Sequence, residues 1–219
     1  MDSSAKSLPG GVPRQSPVYL AAKRVFDFFG GLILLAFTAP IMLVIGYLIK
    51  RDSPGPALFR QIRLTDGGRP FIFYKFRTML VNAYELYPEL YYNFQGLDAS
   101  QIVFKRENDP RVTRLGAILR RTSLDELPNF LNVVLGNMSL VGPRPEVPEM
   151  LQYYKDAGTL KLSVKSGVTG LAAIRGRGKL NLEDTIKYDI EYVRRASFWL
   201  DLRILIETAW ATLVGRGAY

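Results

Sequence analysis

The chain has no cysteine and no histidine. The first absence removes disulfides and thiol nucleophiles, the second removes Ser-His and Cys-His pairs, and together they remove structural zinc sites. Acid, base and nucleophile chemistry is left to Asp, Glu, Lys and Tyr. Any metal that takes part is then a hard, oxygen-preferring ion such as magnesium. Acidic residues are also scarce, 20 Asp and Glu against 29 Lys and Arg, for a formal charge of +9. That excess favours anionic partners: phospholipid headgroups, nucleotides or nucleic acid. No recognisable nucleic-acid-binding motif accompanies it, so no nucleic acid is expected as a partner. A chain of 219 residues has room for one domain with a full core beside a membrane element.

Charge is missing altogether from Phe28 to Ile49, a run of about 22 residues, long enough as a helix to cross a hydrocarbon core of about 30 Å. It is longer than the apolar core of a signal peptide and ends in Lys50-Arg51 without a small-residue cleavage pattern. Lys23-Arg24 precede it, so basic residues flank both ends. The positive-inside rule then places both ends on the cytoplasmic side. Pro40 removes an intrahelical hydrogen bond and is expected to bend the helix near Ala39, with the Thr38 hydroxyl free to satisfy a carbonyl. Two readings stand on this segment alone: a re-entrant helix-break-helix hairpin, or a kinked spanning helix with a basic tail outside.

Residues 1–19, rich in Ser, Pro and Gly, read as a mobile tail; 20–51 as the membrane element; 52–219 as a domain. Turn signals at Pro54-Gly55-Pro56 and Asp66-Gly67-Gly68 bracket two short apolar runs, the pattern of a β-hairpin. Residues 81–104 are aromatic-rich and irregular. Beyond Arg111 the pattern is mainly helical, with segments near Val112–Arg121, Pro128–Leu135, Glu146–Tyr154, Leu182–Arg195 and Ser197–Val214. The last carries Trp199, Ile206 and Trp210 with few charges, and suits either a membrane interface or ordinary core packing.

The acidic pair in "LRRTSLDELPNFLNV" is open to two readings. Ser123-x-x-Glu126 with Pro128 matches a capping box at a helix start. Alternatively Asp125 and Glu126, beside Arg120 and Arg121, combine carboxylates with cations as phosphoryl transfer requires. In "PFIFYKFRT" strand alternation puts Ile72, Tyr74 and Phe76 on one face and Lys75 with Arg77 on the other, either a phosphate clamp or a solvated face. Pro143 and Pro145 stiffen the loop around Arg144. Asp189 falls on the apolar stripe of Leu182, Ile186 and Val193, so it needs a partner: a structural Arg or a ligand of a site.

On the motifs "KRVFD", "GPALFRQIR", "FYKFRTM", "NDPRVTRLG", "RRTSLDELPNFLNVVLGNMSLVGPRPE", "SGVTGL" and the terminal "WLDLRILIETAWATLVGRGAY", the chain resembles the bacterial sugar transferase family, the monotopic phosphoglycosyl transferases. The resemblance implies a mainly α fold with a small β-hairpin, an N-terminal re-entrant membrane helix hairpin and interfacial amphipathic helices. It implies transfer of a sugar 1-phosphate from a UDP-sugar to undecaprenyl or another polyprenol phosphate, with release of UMP and with Mg2+ as cofactor. The implied setting is the cytoplasmic face of the bacterial inner membrane, in contact with membrane lipid, at the initiating step of polysaccharide or glycoconjugate assembly. The family's nucleophile falls on Asp125 and its magnesium-assisting acid on Glu126. Lys75, Arg120, Arg144 and Asp189 match other phosphate- and site-associated positions, and Arg77 joins them as a substrate-binding candidate through its strand parity with Lys75. With only a tail before the hairpin, the chain resembles a minimal catalytic form, and a homodimer is compatible with it. Two residues depart from the family pattern: Ala39 stands where Ser often precedes the proline, and Ala172-Ala173 where many members have Trp-Gln. The competing reading is a non-enzymatic basic membrane adaptor that binds anionic lipid.

Overall fold

The computed structural model describes residues 15–91, 99–102, 108–154, 157–176 and 180–214. It opens with one long helix, α1 (Pro17–Asp52), of 36 residues, about 54 Å at 1.5 Å per residue. Residues 1–14 of the expected tail, and part of the irregular 81–104 stretch, lie outside the described residues. The helix starts at Pro17, whose missing N–H costs nothing at a first helical position.

A break was expected at Ala39-Pro40, but α1 continues through Pro40. The Thr38 hydroxyl donates to Leu34 O at 2.6 Å and not to Ala36 O, the carbonyl left without its N–H by Pro40. A helical threonine reaches the carbonyl four residues behind it, and that geometry selects Leu34. The re-entrant hairpin is thus not seen as two separate helices. Its buried positions, Asp27, Gly31, Thr38, Ile45 and Ile49, recur at helical spacing along one face. Between the charged ends of α1 much of the remaining surface is apolar and exposed, as at Ile33, Phe37 and Leu43. Among the described residues α1 is the one helix long and apolar enough to cross a membrane.

Both ends of α1 sit on the same domain. Near its start, Lys23 Nζ is 2.6 Å from Asp201 Oδ2, and Arg24 donates to Val133 O and Val134 O, each at 2.9 Å. Asp27 Oδ1 accepts the Leu140 N–H at 2.9 Å. At the other end Ile45 and Ile49 pack with Phe76 and Leu119. The Arg77 guanidinium closes the helix terminus, donating to Ser53 O at 2.7 Å and also to Pro54 O.

The hairpin follows as β1 (Leu58–Leu64) and β2 (Pro70–Phe76), antiparallel with Phe59 opposite Lys75 and Arg63 opposite Phe71. A short helical turn, α2 (Ala83–Leu86), precedes α3 (Arg114–Thr122), a six-residue 3-10 turn over Leu124–Asn129, and α4 (Phe130–Leu135). Asparagines from that turn and from α4 close the outer edge of β2. Asn129 Oδ1 accepts the Tyr74 N–H at 3.1 Å, and Asn132 Nδ2 donates to Ile72 O at 3.0 Å. Side-chain amides thus take the place of a third strand on an edge that would otherwise be unpaired.

Next come β3 (Ser139–Val141), α5 (Leu151–Tyr154), α6 (Ala157–Lys161), β4 (Gly167–Thr169), α7 (Leu171–Gly176), α8 (Leu182–Arg195) and α9 (Phe198–Leu213). Strands β3 and β4 pair in parallel. The described fold is mainly helical with small sheets, as the sequence pattern indicates. The α8 span coincides with the periodicity, whereas Pro128–Leu135 and Glu146–Tyr154 each resolve into a 3-10 turn followed by a shorter helix. In α9 the two readings divide between two faces. Ile204 and Asp201 are buried, while Trp199 is 77% exposed, Ile206 61% and Trp210 64%. Large apolar side chains left outside in a row mark a surface that meets something apolar.

Asp201 holds α1, α8 and α9 together. Besides Lys23, it accepts the Tyr19 hydroxyl at 3.0 Å on Oδ2 and the Tyr192 hydroxyl at 2.6 Å on Oδ1. Asp201→Ala leaves the partly buried Lys23 ammonium and the Tyr19 hydroxyl without this acceptor, while the Tyr192 hydroxyl keeps only Val141 O at 3.1 Å. The substitution is expected to cost about 3 kcal/mol. A thermal melt of the detergent-solubilised protein reads this as a clear fall in Tm; an unchanged Tm would show that the clasp does not hold α1.

Candidate active site

The acids Asp125 and Glu126 lie in the 3-10 turn between α3 and α4. Ser123 is not the capping residue that the sequence suggests. Its backbone is left-handed, φ 57 and ψ 17, closing α3 with its own N–H bonded to the last carbonyls. A residue so placed cannot adopt the extended backbone of an N-cap, and its side chain makes no capping hydrogen bond. Glu126 is thereby released from a capping role. Its Oε1 accepts instead from Arg144 Nη2 at 2.6 Å.

Arg144 is carried by a loop whose backbone is fixed residue by residue. Gly142 N–H donates to Thr169 O at 2.9 Å, Gly167 N–H to Pro143 O at 2.8 Å, and Leu64 N–H to Glu146 O at 2.9 Å. A Cβ on Gly142 would meet Lys165 O at 2.3 Å, and one on Gly167 would meet Gly142 N at 2.0 Å. Glycine at both positions lets two backbones approach at a distance no side chain permits. The "SGVTGL" segment therefore acts as the wall against which the Arg144 loop is set. Ala172 of the departing Ala-Ala pair lies buried in α7 behind it.

Arg63, a residue that the sequence motifs did not single out, completes the support. From β1 it donates to Pro145 O at 2.7 Å and to Gln61 Oε1 at 2.8 Å, with its guanidinium 5.1 Å from the Phe73 ring centre. Strand parity was the available signal, because Arg63 shares a face with Phe59 and, across the hairpin, with Lys75. Burial, then the charge of Arg144, bring the Arg63 guanidinium down to about 10.

Lys75 comes from β2 and Arg120 from α3, where its Nε donates to Thr78 Oγ1 at 3.0 Å. Both cations act on Asp125, together with Arg144. The two acids are nonetheless tuned apart. Burial, then the neighbouring Glu126 charge, raise Asp125 above the usual carboxylate range despite Lys75, Arg144 and Arg120. Burial also pushes Glu126 upward, but the charge and hydrogen bond of Arg144, with Lys75 and Arg63, outweigh it and hold Glu126 below its ordinary value. Lys75 falls to about 8 through burial and repulsion by Arg120 and Arg144, against the pull of Asp125 and Glu126.

The structure thus brings Lys75, Arg120, Asp125, Glu126 and Arg144 together. Arg77 is not with them. Strand β2 ends at Phe76, and the next side chain turns to the carbonyls at the end of α1. Asp189 lies in a separate buried cluster. Its Oδ2 is 3.0 Å from Lys161 Nζ, so its partner is a lysine of α6 rather than an arginine. Lys161 also donates to Glu146 Oε2 at 3.2 Å and Tyr154 Oη at 2.6 Å, and that hydroxyl donates to Glu146 Oε2 at 2.6 Å. Through Glu146 the cluster fastens the far end of the Arg144 loop.

As to a metal, Asp125 and Glu126 offer the oxygen donors that magnesium takes, and Glu126 keeps partial exposure. No group of three or more metal-ligating side chains occurs among the described residues. Magnesium commonly binds through one or two carboxylates together with water and substrate phosphate, and the pair fits that mode.

The family model described as bacterial sugar transferase matches residues 18–215. Galactosyl transferase CpsE of Streptococcus agalactiae serotype III is 39% identical over 201 residues, 91% of this chain and 44% of that protein. The undecaprenyl-phosphate galactose phosphotransferase of Salmonella typhimurium is 40% identical over 198 residues, 90% of this chain and 41% of that protein. The exopolysaccharide production protein ExoY of Rhizobium meliloti is 36% identical over 218 residues, 97% of this chain and 96% of that protein. The chain therefore spans less than half the length of the first two relatives and nearly all of the third.

Lys161 sits between two buried carboxylates, so Lys161→Met should leave both uncompensated and cost about 3–5 kcal/mol. Asp189→Asn, which keeps volume and removes one charge, should cost less. Thermal unfolding of the two variants side by side checks the order; a milder loss for Lys161→Met would mean that the cluster is not organised around the lysine.

Proposed function

The chain belongs to the bacterial sugar transferase family, and we propose that it transfers a sugar 1-phosphate from a UDP-sugar to undecaprenyl or a related polyprenol phosphate. The reading rests on one observation: a buried carboxylate, Asp125, within electrostatic reach of Lys75, Arg120 and Arg144 in a chain without Cys or His. The names of the relatives support it. Among them, the Salmonella typhimurium protein is an undecaprenyl-phosphate galactose phosphotransferase.

In this mechanism an Asp125 carboxylate oxygen attacks the sugar-linked phosphorus of the UDP-sugar. The pyrophosphate P–O bond breaks and UMP leaves with its electron pair. The product is an acyl phosphate carrying the sugar, reactive enough for onward transfer. A phosphate oxygen of the polyprenol phosphate then attacks the same phosphorus, and the Asp125 carboxylate is regenerated. Lys75, Arg120 and Arg144 offset charge on the phosphoryl oxygens in both steps. Glu126 and the donor's phosphates would hold magnesium, which supplies further charge neutralisation when bound.

The same reading places the domain on the cytoplasmic face of the inner membrane and α1 as a re-entrant element. Support comes from the two ends of α1: the Lys23 end and the end closed by Arg77 are both bound to one domain. A helix held in that way keeps both flanks on one side of a bilayer. The apolar exterior of α1 and the exposed tryptophans of α9 then face lipid. An adaptor reading shares those apolar faces but gives Asp125 no task.

Enzyme mixed with magnesium and UDP-sugar, without lipid, should release about one UMP per active site and carry a phosphosugar mass adduct on the Asp125 peptide. Asp125→Asn should abolish both signals. Wild-type protein that released no UMP until lipid was added would overturn the covalent mechanism.

Because Lys75 loses its proton at about 8, kcat/KM is expected to fall as pH rises through about 8, and Lys75→Arg should move that limb to higher pH. Unfolding does not account for such a loss. Between about 8 and the ordinary lysine value of 10.5, the unfolded chain binds this proton more tightly than the folded one, so stability from Lys75 rises with pH there. A pH profile and melts on the same samples separate the two effects; an alkaline limb that Lys75→Arg left unmoved would assign it to another group.

A further inference from the structure

We infer that Arg144 is a stand-in cation for Glu126, bound to its carboxylate while the divalent metal is absent and displaced onto substrate phosphate when the metal binds. This rests on the reading of Glu126 as a metal ligand.

Three features of the geometry lead there. First, Arg144 Nη2 lies 2.6 Å from Glu126 Oε1, so this carboxylate oxygen is already engaged by a positive charge. A divalent cation on the same carboxylate would stand within a few ångströms of the guanidinium, where like charges repel strongly. The two cations therefore compete for Glu126.

Second, Arg144 is the site cation built to leave. Its side chain is 54% exposed against 22% for Glu126. Arg120, in contrast, is tied to Thr78 Oγ1, and Lys75 lies against the Phe59 ring, with its Nζ 5.3 Å from the ring centre. Third, the Arg144 backbone has no freedom to follow its side chain. Pro143 O, Pro145 O and Glu146 O are each held by a named donor, so the exchange takes only side-chain rotation. Rotation about a fixed pivot keeps the freed guanidinium beside Asp125, where the transferred phosphoryl group would lie. One fork of donors thus serves a carboxylate in one state and phosphate oxygens in the other, both being acceptors that a planar guanidinium matches.

The exchange predicts an inverted effect on the metal. Removing Arg144 harms a phosphate site but should improve the metal site. The test is titration of the full chain in lipid nanodiscs with Mn2+, without nucleotide, following free Mn2+ by electron paramagnetic resonance. Arg144→Gln should bind Mn2+ about fivefold more tightly than wild type, the scale of a solvent-accessible ion pair lost as a competitor. Glu126→Gln should weaken binding in either background. Since Arg144 is half exposed, Arg144→Gln is expected to fold, and a melt confirms it. Unchanged or weaker Mn2+ affinity in Arg144→Gln, with Glu126→Gln still weakening it, overturns the exchange and leaves Glu126 as the metal ligand. No effect of Glu126→Gln overturns the metal assignment itself, and the exchange with it.

Discussion

The site depends on an apolar contact rather than on any of its charges. Ile45 and Ile49, on the last turns of α1, pack with Phe76 and Leu119, and Leu124 and Leu127 lean on the same cluster. Each of the four domain residues is the sequence neighbour of a site residue: Phe76 of Lys75, Leu119 of Arg120, Leu124 of Asp125, Leu127 of Glu126. Strand, helix and 3-10 turn thus set one residue inward onto the end of α1 and present the next one to the site. Displacing this end of α1 would move three separate elements, and with them four of the five charges that converge there.

A second constraint is the treatment of buried charge. Asp201, Asp189, Glu146, Lys161 and Arg77 are all nearly inaccessible, and the partners named for them come from other elements or from the loops between them. Removing one member would strand the others in low dielectric, so such groups fix the relative placement of the elements they join. The active-site charges are arranged differently. Around Asp125 the charges outnumber the direct pairs. Lys75 and Arg120 act on it electrostatically, yet Arg120 is tied to a hydroxyl and Arg144 to Glu126. The proposed diphosphate donor would need cations not already neutralised, and surplus positive charge of this kind is costly to a fold that has no use for it.

The helical plan was legible because α8 and α9 carry regular periodicity, and the hairpin because Pro-Gly and Asp-Gly-Gly bracket its two runs. The paired strands β3 and β4 were not, since three residues are too few for alternation to register. What each charged side chain does was less legible still. Lys75 and Arg77 have the same strand parity, but the strand stops between them, and only the end of α1, far from β2 in sequence, shows where Arg77 goes. Asp189 announced its need of a partner, yet Lys161 lies 28 residues earlier on a five-residue helix. Ser123-x-x-Glu126 fits a capping box in sequence, and one positive φ at Ser123 redirects Glu126 to Arg144. These are long-range or single-dihedral facts, and no local pattern encodes them.

The two kinds of contact answer a problem posed by the proposed substrates. A nucleotide sugar arrives from water, while a polyprenol phosphate can present only its head at the membrane surface. A single small site serves both if it lies at the surface and handles them in turn. The packing of Phe76, Leu119, Leu124 and Leu127 on α1 holds the cations and acids at the end of an apolar helix. The double-glycine seam holds Arg144 on the domain's own backbone. The site charges are therefore fixed by two walls, one set on the end of α1 and the other on the domain's own backbone. A covalent Asp125 intermediate suits that geometry, since it lets the soluble donor leave before the lipid head takes the same place, and neither wall has to move between the two steps.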